Sequence, residues 1–225
     1  MDQKLAAAEA AALLVADGMI VGLGSGATAA LAVQAIGRRA PRIIGVPTSE
    51  KTAALARSFG ISLATLADEP RIDLTIDGAD EIEPGPLHII KGRGGALLRE
   101  KIVACATTRL IIIADESKIV DRLTAAERPI PVEVVPFGWE TTAQRLRDLG
   151  AEPILREGFT TDGGHYILDC LWPEMGPAGI LAQRLDSVVG VVEHGLFIGM
   201  ASEAIVGGEA GVRVLRREQP VGQTP

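Results

Sequence analysis

Four short segments of this sequence combine residue types that can hold or transform a small anion. The first is Gly22-Leu23-Gly24-Ser25-Gly26-Ala27-Thr28. Its glycines free backbone N–H groups to turn toward a ligand, and a helix N-terminus after it favours negative charge, which suits phosphate. Gly22, Gly24 and Ala27 also fit a G-x-G-x-x-G/A dinucleotide fingerprint. That fingerprint needs an acidic residue about 20 positions on, and the next strand ends at Val46-Pro47-Thr48 instead. Ser25 and Thr28 offer hydroxyls better suited to a terminal phosphate. A tight turn without a ligand is the bland alternative.

The second segment, Thr75-Ile76-Asp77-Gly78-Ala79-Asp80-Glu81, puts carboxylates at the C-terminal end of a buried strand. There they are costly unless used or paired. Asp77 and Asp80 suit either acid/base work and hydrogen bonding to sugar hydroxyls or oxygen ligation of a divalent cation. No histidine accompanies them, which weighs against a metal, and Glu81 and Glu83 read as solvated. The third segment, Lys91-Gly92-Arg93-Gly94-Gly95-Ala96-Leu97-Leu98-Arg99-Glu100-Lys101, is a glycine loop feeding a helix. Lys91 can neutralise an oxyanion, open amides can add donors, and Glu100 is either a base or an ordinary helix glutamate. Arg99 and Lys101 read as solvated charges. In the fourth, Ala114-Asp115-Glu116-Ser117-Lys118, the lysine either reaches the same crevice or lies on the surface. Together the four imply a crevice for a small, anionic, hydroxylated molecule.

Elements that would position these segments alternate in type. Helices are expected over 4–16, 28–38, 49–59 and 97–104, with strands at 19–22, 43–46, 74–76, 89–90 and 110–114. Solid apolar strands alternating with helices mean a doubly wound, Rossmann-like, mostly parallel sheet covered on both faces. After Ser117 the order becomes β-α-β-β-α-β: strand 132–135, helix 139–149, a hairpin of 152–155 with 166–169, helix 178–186 and strand 188–193. That is a ferredoxin-like, α+β pattern. Strands 203–206 and 212–215 are expected to return to the first sheet. The expected division is 1–127 with 196–225 as the large α/β domain and 128–195 as the small one. The tail from Gln219 is expected to fray.

Composition narrows the partners. Of 225 residues, 47% are hydrophobic but only 3% aromatic, and the formal net charge is −7. An aliphatic core excludes disorder and a disulfide scaffold, and an acidic chain without stacking rings argues against nucleic acid. No run approaches the roughly 18 apolar residues of a membrane span. The first residues lack a secretory pattern, so a cytoplasmic, reducing location is expected, with Cys105 and Cys170 as buried free thiols. His88, His165 and His194 have no metal-spaced partner and read as structural.

At these segments the sequence resembles ribose-5-phosphate isomerase of the A type. The resemblance covers nearly the whole chain and rests on Gly24–Ala29, Ile76–Glu81, Lys91–Val103 and Asp115–Lys118, with weaker echoes at Pro131–Val134, Thr161–Gly163 and Gly195–Phe197. It implies interconversion of ribose 5-phosphate and ribulose 5-phosphate through an enediolate in the non-oxidative pentose phosphate pathway, with no cofactor and no metal, by a dimer or tetramer. Glu100 matches the family's proton-abstracting base. Ser25, Gly26, Ala27 and Thr28 match its phosphate-side loop; Asp77, Gly78, Ala79 and Asp80, and Lys91, Gly92, Arg93 and Gly94, match its substrate loops. Lys118 matches a binding lysine, Asp77 a group that helps move a proton between sugar oxygens, and Lys4 a phosphate lysine of the N-terminal helix. Ala27 departs from the family's usual hydroxyl residue and Arg93 from a common glycine, which bears on affinity. Gly164 and His165 replace usual asparagines. A deaminase, lactonase or acyl-CoA transferase of the same fold group is the competing enzyme reading, and a sugar-phosphate sensor, which has no need of Glu100, the non-enzymatic one.

Overall fold

The computed structural model describes residues 2–124 and 128–217; the tail from Gln219 lies outside them. Along the chain run α1 (Gln3–Ala12), β1 (Ile20–Leu23), α2 (Ala27–Arg39), β2 (Ile44–Pro47), α3 (Glu50–Ser58), β3 (Ser62–Leu63) and β4 (Ile72–Gly78). Then come β5 (Glu81–Glu83), β6 (His88–Ile90), α4 (Leu97–Cys105), β7 (Thr107–Asp115) and a 3-10 turn at Glu116–Lys118. The chain continues through β8 (Ile130–Val134), α5 (Trp139–Asp148), β9 (Glu152–Leu155), β10 (Tyr166–Leu171) and α6 (Ala178–Asp186). It ends with β11 (Val191–His194), β12 (Leu196–Phe197), β13 (Glu203–Gly208) and β14 (Gly211–Arg216).

Seven strands form the central sheet in the order β14-β13-β7-β4-β1-β2-β3, parallel except for the edge strand β14. In β7, Ile111 and Ile113 enter the core beneath α1 and α2, while Leu110, Ile112 and Ala114 enter the core on the other face. Both faces of the strand are therefore dry, which is why it reads as a solid apolar run. From β1 the chain winds outward through β2 and β3, then returns to place β4 on the other side of β1. The C-terminal ends of β1 and β4 flank this reversal, the place where open α/β sheets bind ligands.

Helix α1 is shorter than its alanine-rich stretch suggests. Asp2 caps its start by accepting from the Lys4 and Leu5 N–H groups. Beyond Ala12, i→i−3 bonds and Gly18 at φ +85° turn the chain into β1. The strand at 89–90 exists, but not in the parallel sheet. It lies in β6, in a small antiparallel sheet ordered β12-β6-β5. A parallel strand needs a crossover of a dozen or more residues, and the segment between Gly78 and His88 is too short to supply one.

Residues 130–194 carry the third sheet, ordered β11-β8-β10-β9 with every neighbour antiparallel, the ferredoxin-like arrangement. Its core is separate and aliphatic, with Leu146, Leu168, Leu181 and Leu185 packed against Ile130, Val132 and Val134. Cys170 is buried there, but Cys105 is exposed at the end of α4, contrary to expectation, because it faces away from the sheet that Val103 and Ala104 cover.

Candidate active site

Three side chains expected to do chemistry meet in one buried cluster. Lys91 directly follows β6 and is 3% exposed. Its Nζ donates to the Gly78 carbonyl at 2.6 Å and lies 3.0 Å from Asp77 Oδ2 and 3.2 Å from Glu100 Oε1. Asp77 ends β4, and its Oδ1 accepts N–H bonds from Ser25 at 3.1 Å and Gly78 at 2.7 Å. Glu100 stands in the first turn of α4, where the helix dipole favours its negative charge. Its Oε2 has no hydrogen-bond partner among the described residues.

Two carboxylates and one ammonium leave this cluster one negative charge in excess. Burial, and then the neighbouring Asp77 charge, push the Glu100 carboxyl up to about 8 against the pull of Lys91. Burial likewise raises Asp77, although Lys91 and two backbone N–H groups oppose it. Burial alone would strip the Lys91 proton, but the charges of Asp77 and Glu100 outweigh it and hold the ammonium more firmly than in water. The ring of fully buried Phe197 adds a face 5.6 Å from Nζ.

The loop after β1 is pressed against this cluster. A Cβ on Gly24 would lie 2.2 Å from Asp77 Oδ1 and 2.6 Å from the Asp77 Cα, so no side chain fits. Gly24→Ala is expected to lose about 1–3 kcal/mol of stability by overpacking and to shift Asp77 away from Lys91. Urea unfolding and kcat, measured on the same preparation, should fall together. Ser25 Oγ lies 2.8 Å from Thr48 Oγ1 and from Ser49 Oγ, and 3.2 Å from Thr52 Oγ1. Thr48 donates to the Leu23 carbonyl and Thr52 to the Gly24 carbonyl, which ties the loop to the end of β2. Sequence reasoning passed over these three residues. Ser49 caps α3 by accepting from the Thr52 N–H, and that capping pattern was the available signal.

The other expected residues lie at the start of α2, on the lysine loop and beside the end of β7. Gly26, at φ +96°, caps α2, whose first residues are exposed Ala27 and half-buried Thr28. Asp80 Oδ2 accepts the Arg93 N–H at 2.9 Å, and the Arg93 side chain lies half exposed with Nε 4.0 Å from Asp80 Oδ1. Half-buried Lys118 and Lys4 both sit near Asp115 at the end of β7, with Lys4 Nζ 3.8 Å from Asp115 Oδ2. Burial would raise Asp115, but the Ser117 hydrogen bonds and the two lysines bring its carboxyl below the usual range.

A family model for ribose 5-phosphate isomerase A (phosphoriboisomerase A) matches residues 44–211. A ribose-5-phosphate isomerase A of Synechococcus sp. (strain JA-3-3Ab) is 56% identical, over 95% of this chain and 96% of that protein, and one of Gloeobacter violaceus is 54% identical. The chain belongs to the ribose 5-phosphate isomerase A family. The solved isomerase A of Methanocaldococcus jannaschii superposes with a TM-score of 0.91 at 38% identity, covering 95% of this chain and 98% of that one. A D-ribose-5-phosphate isomerase solved in complex with phospho-erythronic acid superposes at 0.92 with 35% identity, covering 96% of this chain and all of that one.

Within this isomerase, three charges expected in solvent are otherwise engaged. Glu81 is fully buried: Oε2 accepts the Thr124 N–H at 2.7 Å and Oε1 lies 3.9 Å from Arg128 Nε. Lys101 Nζ donates to Glu193 at 2.6 Å and to the His194 carbonyl at 2.7 Å, over the same Phe197 ring that Lys91 faces. Arg99 pairs with Glu50 and Asp162. Lys101 and Arg99 join the unit of the central sheet to that of the ferredoxin-like sheet, which helix spacing alone does not reveal. Two of the three histidines have structural partners, His165 bonding Glu133 and His194 bonding Asp186, while the buried Nδ1 of His88 has none among the described residues.

Proposed function

We propose that the cluster of Asp77, Lys91 and Glu100 catalyses the interconversion of D-ribose 5-phosphate and D-ribulose 5-phosphate. The observation that carries this reading is Lys91 Nζ held between the two carboxylates while Glu100 Oε2 stands free. With the open-chain aldose bound, that oxygen takes the proton from C2, and the C–H electrons move into the C1 carbonyl to form an enediolate. As Glu100 becomes a neutral acid, the same negative charge appears on the substrate oxygen. Lys91 then exchanges one carboxylate partner for an oxyanion without any change in the charge of the site. Return of the proton to C1 gives the ketose, and Asp77 assists the proton that moves between O1 and O2.

The phosphate end is assigned to Ser25, Gly26, Ala27 and Thr28 at the start of α2, with Lys118 and Lys4 as cations. Asp80 and the 91–94 loop orient the hydroxyls. Phospho-erythronic acid, bound by a relative of the same fold, carries a carboxylate where the enediolate would carry its charge, and that supports the assignment. A sensor has no need of a buried, partly unsatisfied glutamate, and neither cofactor nor metal is required by these steps. The same reading takes 1–127 with 196–225 as the catalytic unit, 128–195 as a smaller unit, and a homo-oligomer in the cytoplasm. Among the described residues no helix is long and apolar enough to cross a membrane.

The test is incubation with ribose 5-phosphate in deuterated water, with and without EDTA. Ketose carrying solvent deuterium at C1, formed at the same rate in both arms, is expected. An inert purified protein would sink the assignment.

A further inference from the structure

The loop that carries Lys91 contains little that could hold its own shape. Gly92 and Gly95 sit at φ +105° and +76°, and its one internal bond runs from the Gly95 N–H to the Gly92 carbonyl. External ties come from the Lys91 N–H to the Gly195 carbonyl, from the Arg93 N–H to Asp80, and from Arg156. Arg156 belongs to the ferredoxin-like sheet, one residue beyond β9. Its Nη1 donates to the Arg93 carbonyl at 3.0 Å and more weakly to the Gly92 carbonyl at 3.4 Å. Its Nε and Nη2 form a two-point bond with Asp169 at 2.8 and 2.6 Å. The guanidinium lies 5.4 Å from the centre of the Phe159 ring, and a Cβ on Gly95 would fall 2.1 Å from that ring.

We propose that Arg156, held by Asp169 and Phe159, is a positioning residue for the isomerisation: it sets the lysine loop from the small unit. The peptide is planar and trans, so fixing the Arg93 carbonyl toward Arg156 turns the Gly94 N–H the opposite way. That N–H has no acceptor among the described residues and is a free donor for a substrate oxygen. A planar guanidinium can hold Asp169 by two parallel N–H bonds while its other nitrogen donates to the two carbonyls, a fork that a point-like ammonium does not reproduce. This inference rests on the assignment of the 91–94 loop to substrate, and it gives the second sheet a part in the chemistry.

The test uses the full chain with Arg156→Ala, Arg156→Lys and Asp169→Asn, reading kcat and KM, thermal unfolding, and amide hydrogen exchange of the segment 91–96. Misplacing a catalytic loop by about 1 Å can cost about 10²-fold. Arg156→Ala is therefore expected to lower kcat by about 10–100-fold, with a smaller change in KM and faster exchange at Gly94 and Gly95. Added guanidinium should restore part of the rate, and Arg156→Lys should stay well below the parent. A folded Arg156→Ala enzyme with kcat within about twofold of the parent and only a lower melting temperature would overturn the proposal. So would exchange unchanged in the loop. If Arg156→Ala does not fold, Asp169→Asn decides by the same two readings. An inert parent enzyme would instead count against the isomerase assignment, and the exchange measurement would still judge the clamp.

Discussion

Glu100→Gln is expected to lower kcat by about 10²–10⁴-fold, the contribution of a positioned general base, while leaving sugar-phosphate binding nearly intact. The amide keeps the size of the carboxylate but cannot accept the C2 proton. In the parent enzyme kcat/KM should climb as pH rises through about 8, because burial and Asp77 hold the Glu100 proton up to that point and only the ionised form is a base. Stability should move the other way. The folded state keeps the Glu100 proton to about 8 and the unfolded chain releases it near the ordinary glutamate value of 4.5, so between these the native state binds more protons. Its stability is full below about 4.5 and falls as pH rises toward 8. Glu100→Gln removes that loss, and the variant should melt higher than the parent at pH 8 with the gap closing toward pH 4.5. Melting curves across that range, beside a pH-rate profile, check both signs. A variant that loses stability at pH 8 would show that Lys91 compensates Glu100 more completely than its burial allows.

Lys91→Met is expected to damage both rate and fold. Losing the cation that meets the oxyanion should cost about 10²–10³-fold in kcat. The larger structural effect comes from what remains, because Asp77 and Glu100 are left buried with no ammonium between them. Removing one partner of a buried ion pair costs about 3–5 kcal/mol. Here the loss should shrink in acid, as the two carboxylates take up protons. Urea unfolding at pH 5 and pH 8 reads this directly. Adding Asp77→Asn to Lys91→Met should recover stability without recovering turnover. If the double variant is no more stable than the single one, the methionine itself, and not the orphaned charge, causes the loss.

Much of the site was legible because its residues lie in contiguous segments. The glycine loop after β1, the carboxylates ending β4 and the lysine loop before α4 each carry local backbone or charge demands that show in the order of residues. Asp77 and Lys91 stand out on that ground and Glu100 through the family resemblance, and Lys91 meets both carboxylates within hydrogen-bonding range. The hydroxyls of Thr48, Ser49 and Thr52 were passed over because their role depends on β2 lying beside β1. Glu81 and Lys101 were misread as solvated for a similar reason. A charge next to a turn or on a helix face looks exposed until another sheet packs over it.

By itself the sequence determined the alternation of strands and helices, the ferredoxin-like order of the second half, and the segments that carry Asp77 and Lys91, whereas Glu100 stood apart from an ordinary helix glutamate only through the family resemblance. These follow from hydrophobic period, glycine conformational freedom and the cost of charge at a strand end, all of which act over a few residues. Only the tertiary structure decided that β6 leaves the parallel sheet, that one Phe197 ring meets both Lys91 and Lys101, and that Arg156 reaches across to the lysine loop. The Phe197 and Arg156 contacts join positions 60 or more residues apart, where chain closure and packing set the partners and no local pattern records them.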